Sequence, residues 1–207
     1  MMLKQQLRPL AQRQVRPSSS RHISVCKAAA STTAALPTEA EAVAAFKAAT
    51  ADGLEPCLAL LKRAAADKSV QPQLVEGALA YLEQSHPKPA ADIDGTWRLV
   101  FSTATSNRFL QYIPVREDFV IQLGPKQCAL ESVVGPFAFN IRGQITDFNS
   151  ATGAMDFQFT AVDILLLGKQ IWQVTPKTKP KTYTFYYEGQ GIAAARSSAG
   201  GLALLRK

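Results

Sequence analysis

Hydrophobic positions change their period once along this chain. Between Glu39 and Gln84 apolar residues recur at helical spacing; after Asp92 they alternate. Thr38 followed by Glu41 has capping-box spacing in front of an Ala-rich run, which predicts a helix from about Glu39 to Ala51, ended by Asp52-Gly53. A second is expected from about Leu54 to Asp67, with Leu58, Leu61 and Ala65 on one face. A third covers about Pro72 to Gln84, where Val75, Leu79 and Leu82 follow the same period. "HPKPAAD" then reads as a semi-rigid spacer.

From Asp92 the strands come in quick succession. In "TWRLVFS", Trp97, Leu99 and Phe101 are expected on one face, and Arg98, Val100 and Ser102 on the other. "EDFVIQL", "QCALESVV", "FAFNIRGQITDF", "MDFQFTAVDI", "KQIWQV" and "TYTFYYE" follow. Gly124-Pro125, Gly135-Pro136, "NSATG" and "PKTKPK" supply turns or loops between them. Gly143 marks an expected bulge or bend. "GIAAARSSAGGLALLRK" closes the chain as two short strands around Gly200-Gly201. No helical crossover separates these strands, so antiparallel pairing is expected. The reading is mainly β: a lipocalin-like antiparallel barrel of about eight strands over residues 92–207, behind a helical lead-in of two or three short helices over residues 38–90.

Charge sharpens this picture. The formal charge is +7, which suggests nucleic acid or an anionic surface until it is localised. Lys4, Arg8, Arg13, Arg16, Arg21 and Lys27 carry six of the 23 basic side chains, and no acid precedes Glu39. The remaining 17 basic residues therefore face all 16 acidic ones, and the body is close to neutral. A nucleic-acid partner is not expected without a basic stripe on the folded part. Residues 1–30 are Arg-rich, carry Ser18 to Ser20 and lack acids, the composition of a cleaved transit peptide. "SVCKAAAS" is similar to a plastid cleavage region, so the chloroplast is expected, with the mitochondrion as rival. No apolar run reaches membrane-helix length.

Chemistry-bearing residues are sparse. Cys26, Cys57 and Cys128 are too scattered for a zinc site or a disulfide framework. His22 lies in the presequence and His86 in the spacer, which leaves no obvious histidine for acid–base work. Asp147, Asp156 and Asp163 sit on or near strands, and no motif joins two of them at one centre. Neither a metal nor a cofactor is expected, nor an enzyme.

The opening "DIDGTW" raises the main question, since a glycine stands two residues before the largest side chain of the strand. In a closed barrel Gly95 can make the sharp entry turn, having no Cβ. Trp97 then points inward and plugs the floor, its indole N–H needing an acceptor. A late arginine, Arg196 by position, is a candidate to lie over the ring.

Gly95-Thr96-Trp97 with the following "RLVFST" resembles the "dG-x-W-x-L-x-Y-T-T" opening of the plastid-lipid-associated (fibrillin) family of plants and algae. "AAARSSAGGLALLRK" is similar to that family's closing "R-I-S-R-G-N-x-G-x-L-F-V-L". Arg196 falls on its second arginine and Gly200 on its later glycine. The resemblance extends from about Phe46 to the end of the chain, as a divergent, small member. The motif's first arginine is replaced by Ala193, its preceding acidic residue is missing, and Ser197-Ser198 stands for Gly-Asn.

The resemblance implies a lipocalin-like barrel and a non-enzymatic chloroplast protein at plastoglobules, at thylakoids or in the stroma. It would bind or sequester a hydrophobic small molecule such as an isoprenoid, quinone, carotenoid or acyl lipid. Trp97, Phe101, Phe139, Phe157, Phe159 and Arg196 are the candidate lining, and Gly95, Trp97, Arg196 and Gly200 the candidate closure. Each phenylalanine is equally readable as plain core, and Arg196 either as a ligand contact or as a cover for Trp97. The alternative function is a structural coat or scaffold on plastid lipid bodies and membranes, with a barrel filled by its own side chains. In that case "DILLLGKQIW" is a candidate docking segment, also readable as a buried strand pair. Cavity volume against outward apolar patch separates the two.

Overall fold

The computed structural model describes residues 37–51, 53–85, 87–105 and 110–207. The transit-peptide expectation for residues 1–30, together with Cys26, His22 and His86, lies outside them.

Three helices come first: α1 (Glu39–Ala49), α2 (Leu54–Asp67) and α3 (Pro72–Gln84). The capping box forms as its spacing requires. The Glu41 amide donates to Thr38 Oγ1, and the Thr38 amide donates to the Glu41 carboxylate at 2.7 Å. Pro72 opens α3, where a missing N–H costs nothing. Lys68 closes α2 in the left-handed region, φ 58°, its N–H donating to Ala64. Gly77 lets α1 and α3 cross closely, since a Cβ there would lie 2.1 Å from the Ala42 carbonyl oxygen.

Nine strands follow: β1 (Gly95–Ser102), β2 (Arg116–Gln122), β3 (Gln127–Val134), β4 (Phe137–Asn149), β5 (Ala154–Leu166), β6 (Lys169–Val174), β7 (Lys181–Gly189), β8 (Ile192–Ser197) and β9 (Leu202–Arg206). Every pairing is antiparallel. The order β4-β3-β2-β1-β9-β8-β7-β5 closes on itself through β4–β5, a barrel-like ring of eight strands. β6 adds to the far half of β5, outside the ring. The mainly β antiparallel fold behind short helices is as the periodicity predicts.

The chain builds two apolar clusters, one on each side of the same strands. Trp97, Phe119, Ile121, Met155, Phe157, Phe185, Ala193, Ala195, Ala203 and Leu205 fill the ring. Val100, Phe101, Tyr186, Ile192, Ala194, Leu202 and Leu204 face outward and are covered by the three helices. "IAAA" and "LALL" are therefore buried on both faces, so both alternate positions are apolar there.

A β-bulge decides which cluster Phe101 joins. Leu99 pairs with Leu205, but Phe101 pairs with Leu204, a shift of one residue in β1. Strict alternation places Phe101 beside Trp97 inside the barrel. The bulge turns it outward instead, against Tyr112 at 5.2 Å and into the helical cluster. Its expected place in the lining is thereby corrected. The bend anticipated at Gly143 is real: the β4–β5 register shifts beside it.

Candidate functional site

Gly95 enters β1 at φ 120°, backbone open to glycine and strained for other residues. Two residues later Trp97 is fully buried, and its indole N–H donates to the Ile93 carbonyl at 2.8 Å. The floor of the ring is thus sealed by a satisfied indole. The cation over this ring is Lys207, with Nζ 5.0 Å from the centroid.

Arg196 stands elsewhere. It faces outward from β8 and grips Glu83 of α3 through Nε and Nη2, Glu39 of α1 through Nη2, and the Gly200 carbonyl through Nη1. It therefore fastens the helices to the ring. It neither covers Trp97 nor lines the interior, which corrects both expectations for it. Those bonds, with Glu83 foremost, hold the guanidinium charged more firmly still. Gly200 makes the turn after β8 at φ 90°.

Above the floor the ring is packed with aromatic side chains. Phe157 meets Phe159 and Tyr183 edge to face, each at 5.3 Å, and Phe119 at 5.8 Å. The apolar recess among Leu99, Phe119, Leu130, Phe157, Phe159 and Tyr183 holds about 40 Å³. That is near the volume of one water and far below the several hundred Å³ of a small-molecule site. Of the expected lining, Phe157 and Phe159 contribute here.

Phe119, Leu99 and Tyr183 were legible from the same alternation, since "EDFVIQL" puts Phe119 and Ile121 in register with the apolar face. Glu117 shares that inward register. It accepts a long hydrogen bond from Ser132 Oγ at 3.5 Å. Burial pushes its carboxyl up, against the opposing effect of Ser132. Tyr183 is raised by burial and by the charge of Glu117.

The opposite end of the ring is built differently. β4 and β5 run on past the closed part as an arm, with β3 on one side and β6 on the other. The row Phe119–Leu130–Ile141–Val162–Val174 continues the inward face onto it. Beyond lie Ser132–Phe139–Ile164–Trp172 and Val134–Phe137–Leu166–Lys169. Phe139 therefore has the expected face, but sits on this arm rather than around a cavity.

Among the described residues no second layer covers the arm. Every residue of β6 is exposed, including Ile171 and Trp172 (64%), and Leu167 at the β5–β6 turn is 79% exposed. Val133, Val134, Phe137 and Val174 are exposed as well. "DILLLGKQIW" is accordingly an open apolar end, not a buried strand pair. Lys177 and Lys179 stand exposed in the loop after β6. Thr178 ties that loop to β5 by donating to the Phe159 carbonyl at 2.9 Å and accepting from Gln158 Nε2 at 2.7 Å.

Unlike Glu117, the strand aspartates Asp156 and Asp163 face the outer wall. The bulge beside Gly143 keeps Asp156 and Asp163 on one face, where a continuous strand would have turned them apart. Asp163 is held by Arg142 at 2.8 Å, and Asp156 accepts from Thr182 Oγ1. Both described cysteines are free and buried, which pushes the Cys57 thiol up to about 12 and that of Cys128 to about 11. Among the described residues no helix is long and apolar enough to cross a membrane.

Comparison with protein-family models, with curated proteins and with solved structures returns no match for this chain.

Proposed function

We propose that this protein is a non-enzymatic peripheral protein of a plastid lipid surface, docking through the β4–β5–β6 arm as a coat or scaffold. The observation that carries the reading is the contrast between a ring filled to about 40 Å³ and an uncovered apolar arm. The occupant of that arm is a lipid surface with anionic headgroups. Trp172 suits the interfacial layer, having an apolar body and a polar edge. Lys169 stands three residues before it on β6 to meet the headgroups, and Lys177 and Lys179 are exposed in the loop that follows. The likeness to the plastid-lipid-associated family in "DGTW" and in the closing strands points the same way.

The carrier reading of that family needs room for an isoprenoid or acyl chain. The recess holds only about 40 Å³, so the filled interior favours the coat.

The two tryptophans supply the test. Trp97 is sealed and Trp172 is open, so an emission change on lipid contact reports the arm. Phosphatidylcholine vesicles containing phosphatidylglycerol are expected to shift the emission to the blue and to carry the protein down on sedimentation. Leu167→Asp combined with Trp172→Ala should weaken sedimentation roughly tenfold or more. Sedimentation unchanged in the double variant, or one isoprenoid bound per protein and lost in Phe159→Ala, would replace the coat by another surface or by a carrier.

A further inference from the structure

The outer face of β1, β2 and β9, turned away from the ring interior, carries an unbalanced group of cations. Arg98, Arg116 and Arg206 line two adjoining clefts of about 170 and 270 Å³. Lys68 lines the first and Lys207 the second. Buried Asp118 brings a side-chain carboxylate to the second.

Asp118 orients two guanidiniums at once. Arg98 donates through Nε at 2.5 Å and Nη2 at 3.4 Å, and Arg116 through Nε at 2.7 Å. Burial disfavours the charged carboxyl, but the hydrogen bonds from Arg98 and Arg116 outweigh it and hold its pKa below the usual value. Arg206 is fixed by Nη1 on the carbonyls of Ala65 and Ala66 at the end of α2. Lys68 is fixed by Nζ on the Ile113 carbonyl.

Each arginine is therefore anchored along one edge. Among the described residues, Arg98 Nη1, both terminal nitrogens of Arg116, and Nε and Nη2 of Arg206 have no hydrogen-bond partner. Several pre-positioned guanidiniums around one carboxylate repel one another unless an anion joins them. A carboxylate ligand would balance only part of the excess. A phosphate monoester brings nearly two negative charges and three acceptor oxygens, and guanidinium forks match that geometry.

We propose that this cleft is a binding site for a phosphate monoester group, either of a free phosphorylated metabolite or of a lipid headgroup. Its first floor is Val100, Val115 and Pro114, with Arg98, Arg116 and Arg206 as walls. Arg116 is the gatekeeping side chain, being 63% exposed and held by a single short bond. The site uses no residue of the arm, so it stands apart from the docking reading.

The test titrates the full-length protein with inorganic phosphate by calorimetry, with chloride at equal ionic strength as control. In parallel, phosphatidylcholine vesicles with and without phosphatidic acid are sedimented with the protein. Saturable phosphate binding that weakens about tenfold in Arg116→Gln, and less in Arg116→Lys, supports a free-phosphate site. Preference for phosphatidic acid without measurable free-phosphate binding, lost in the same variant, supports a headgroup site. Arg206→Gln gives an independent reading if Arg116→Gln does not fold. Binding that is absent in both arms, or unchanged by both substitutions, overturns the proposal. Leu167→Asp should leave the phosphate titration untouched, so failure of the arm reading is separately visible.

Discussion

The two ends of the ring use the same alternating pattern and reach opposite outcomes. At the floor, Trp97 is sealed by the Ile93 carbonyl below and Lys207 over its ring face. The walls behind β1, β8 and β9 are covered by helices, so their outward residues are buried too. At the arm, the inward rows run on through Phe139, Ile164 and Trp172, but among the described residues no opposite wall meets them. The difference teaches that an apolar strand face is core only where a second layer closes over it. A side chain's value to stability follows that cover more than its hydrophobicity.

The sharpest way to break this comparison is to truncate one tryptophan at each end. Trp97→Ala should cost about 3–5 kcal/mol in denaturant unfolding, as a large-to-small change in a packed core. A loss below about 1 kcal/mol would remove its role as the floor. Trp172→Ala should change stability by no more than about 0.5 kcal/mol, because its surroundings are solvent. Equal costs would mean that the arm is packed in solution.

The join between helices and ring should fall between these extremes. Arg196→Gln removes charge-assisted bonds to Glu83 and Glu39 at a partly exposed site. About 1–2 kcal/mol is expected, discounted for solvent screening, and most of it should vanish in a Glu83→Gln background. If Arg196→Gln instead altered the fluorescence of Trp97 at unchanged stability, a ring-covering role would return.

Glu117 tests the boundary between the two ends through a small, pH-dependent effect. Its folded-state pKa is raised by burial. The stability linked to its protonated form is full below the unfolded pKa and is lost as pH rises through the folded one. At neutral pH the carboxylate is therefore a cost. Glu117→Gln should stabilise the protein at pH 7 by under about 1 kcal/mol, with the advantage fading as pH falls below the ordinary carboxylate range. An advantage constant with pH would mean that the carboxyl is already well solvated at the mouth.

Much of the layout was legible because its causes are local. The capping box at Thr38, the helical period to Gln84, the turns at Gly124-Pro125 and Gly135-Pro136, and the Gly200-Gly201 turn all act within a few residues. The inward direction of Trp97, Phe157 and Phe159 followed from period two, and the turn at Gly95 from a residue without a Cβ. Phe101 did not follow, because a one-residue bulge in β1 reverses every later side chain, and "TWRLVFS" carries no glycine to announce it. Arg196 did not follow either. Its partners lie 113 and 157 residues away on helices whose docking depends on the whole packed face. Lys207 took the place over Trp97 because β9 ends beside the start of β1, a pairing that only ring closure creates.

The sequence by itself determined the change of period, and with it three helices followed by an antiparallel set of strands. It determined which residues were available to seal a floor and which segment, "DILLLGKQIW", was a candidate for docking. Tertiary structure alone decided how full the ring is, which cation meets the indole and which strand faces stay uncovered. It also gathered Arg98, Arg116 and Arg206 from three strands around Asp118. The reason is physical: propensity and alternation are set by near neighbours along the chain. Volume, charge balance and cover are sums over residues that meet only when the ring closes.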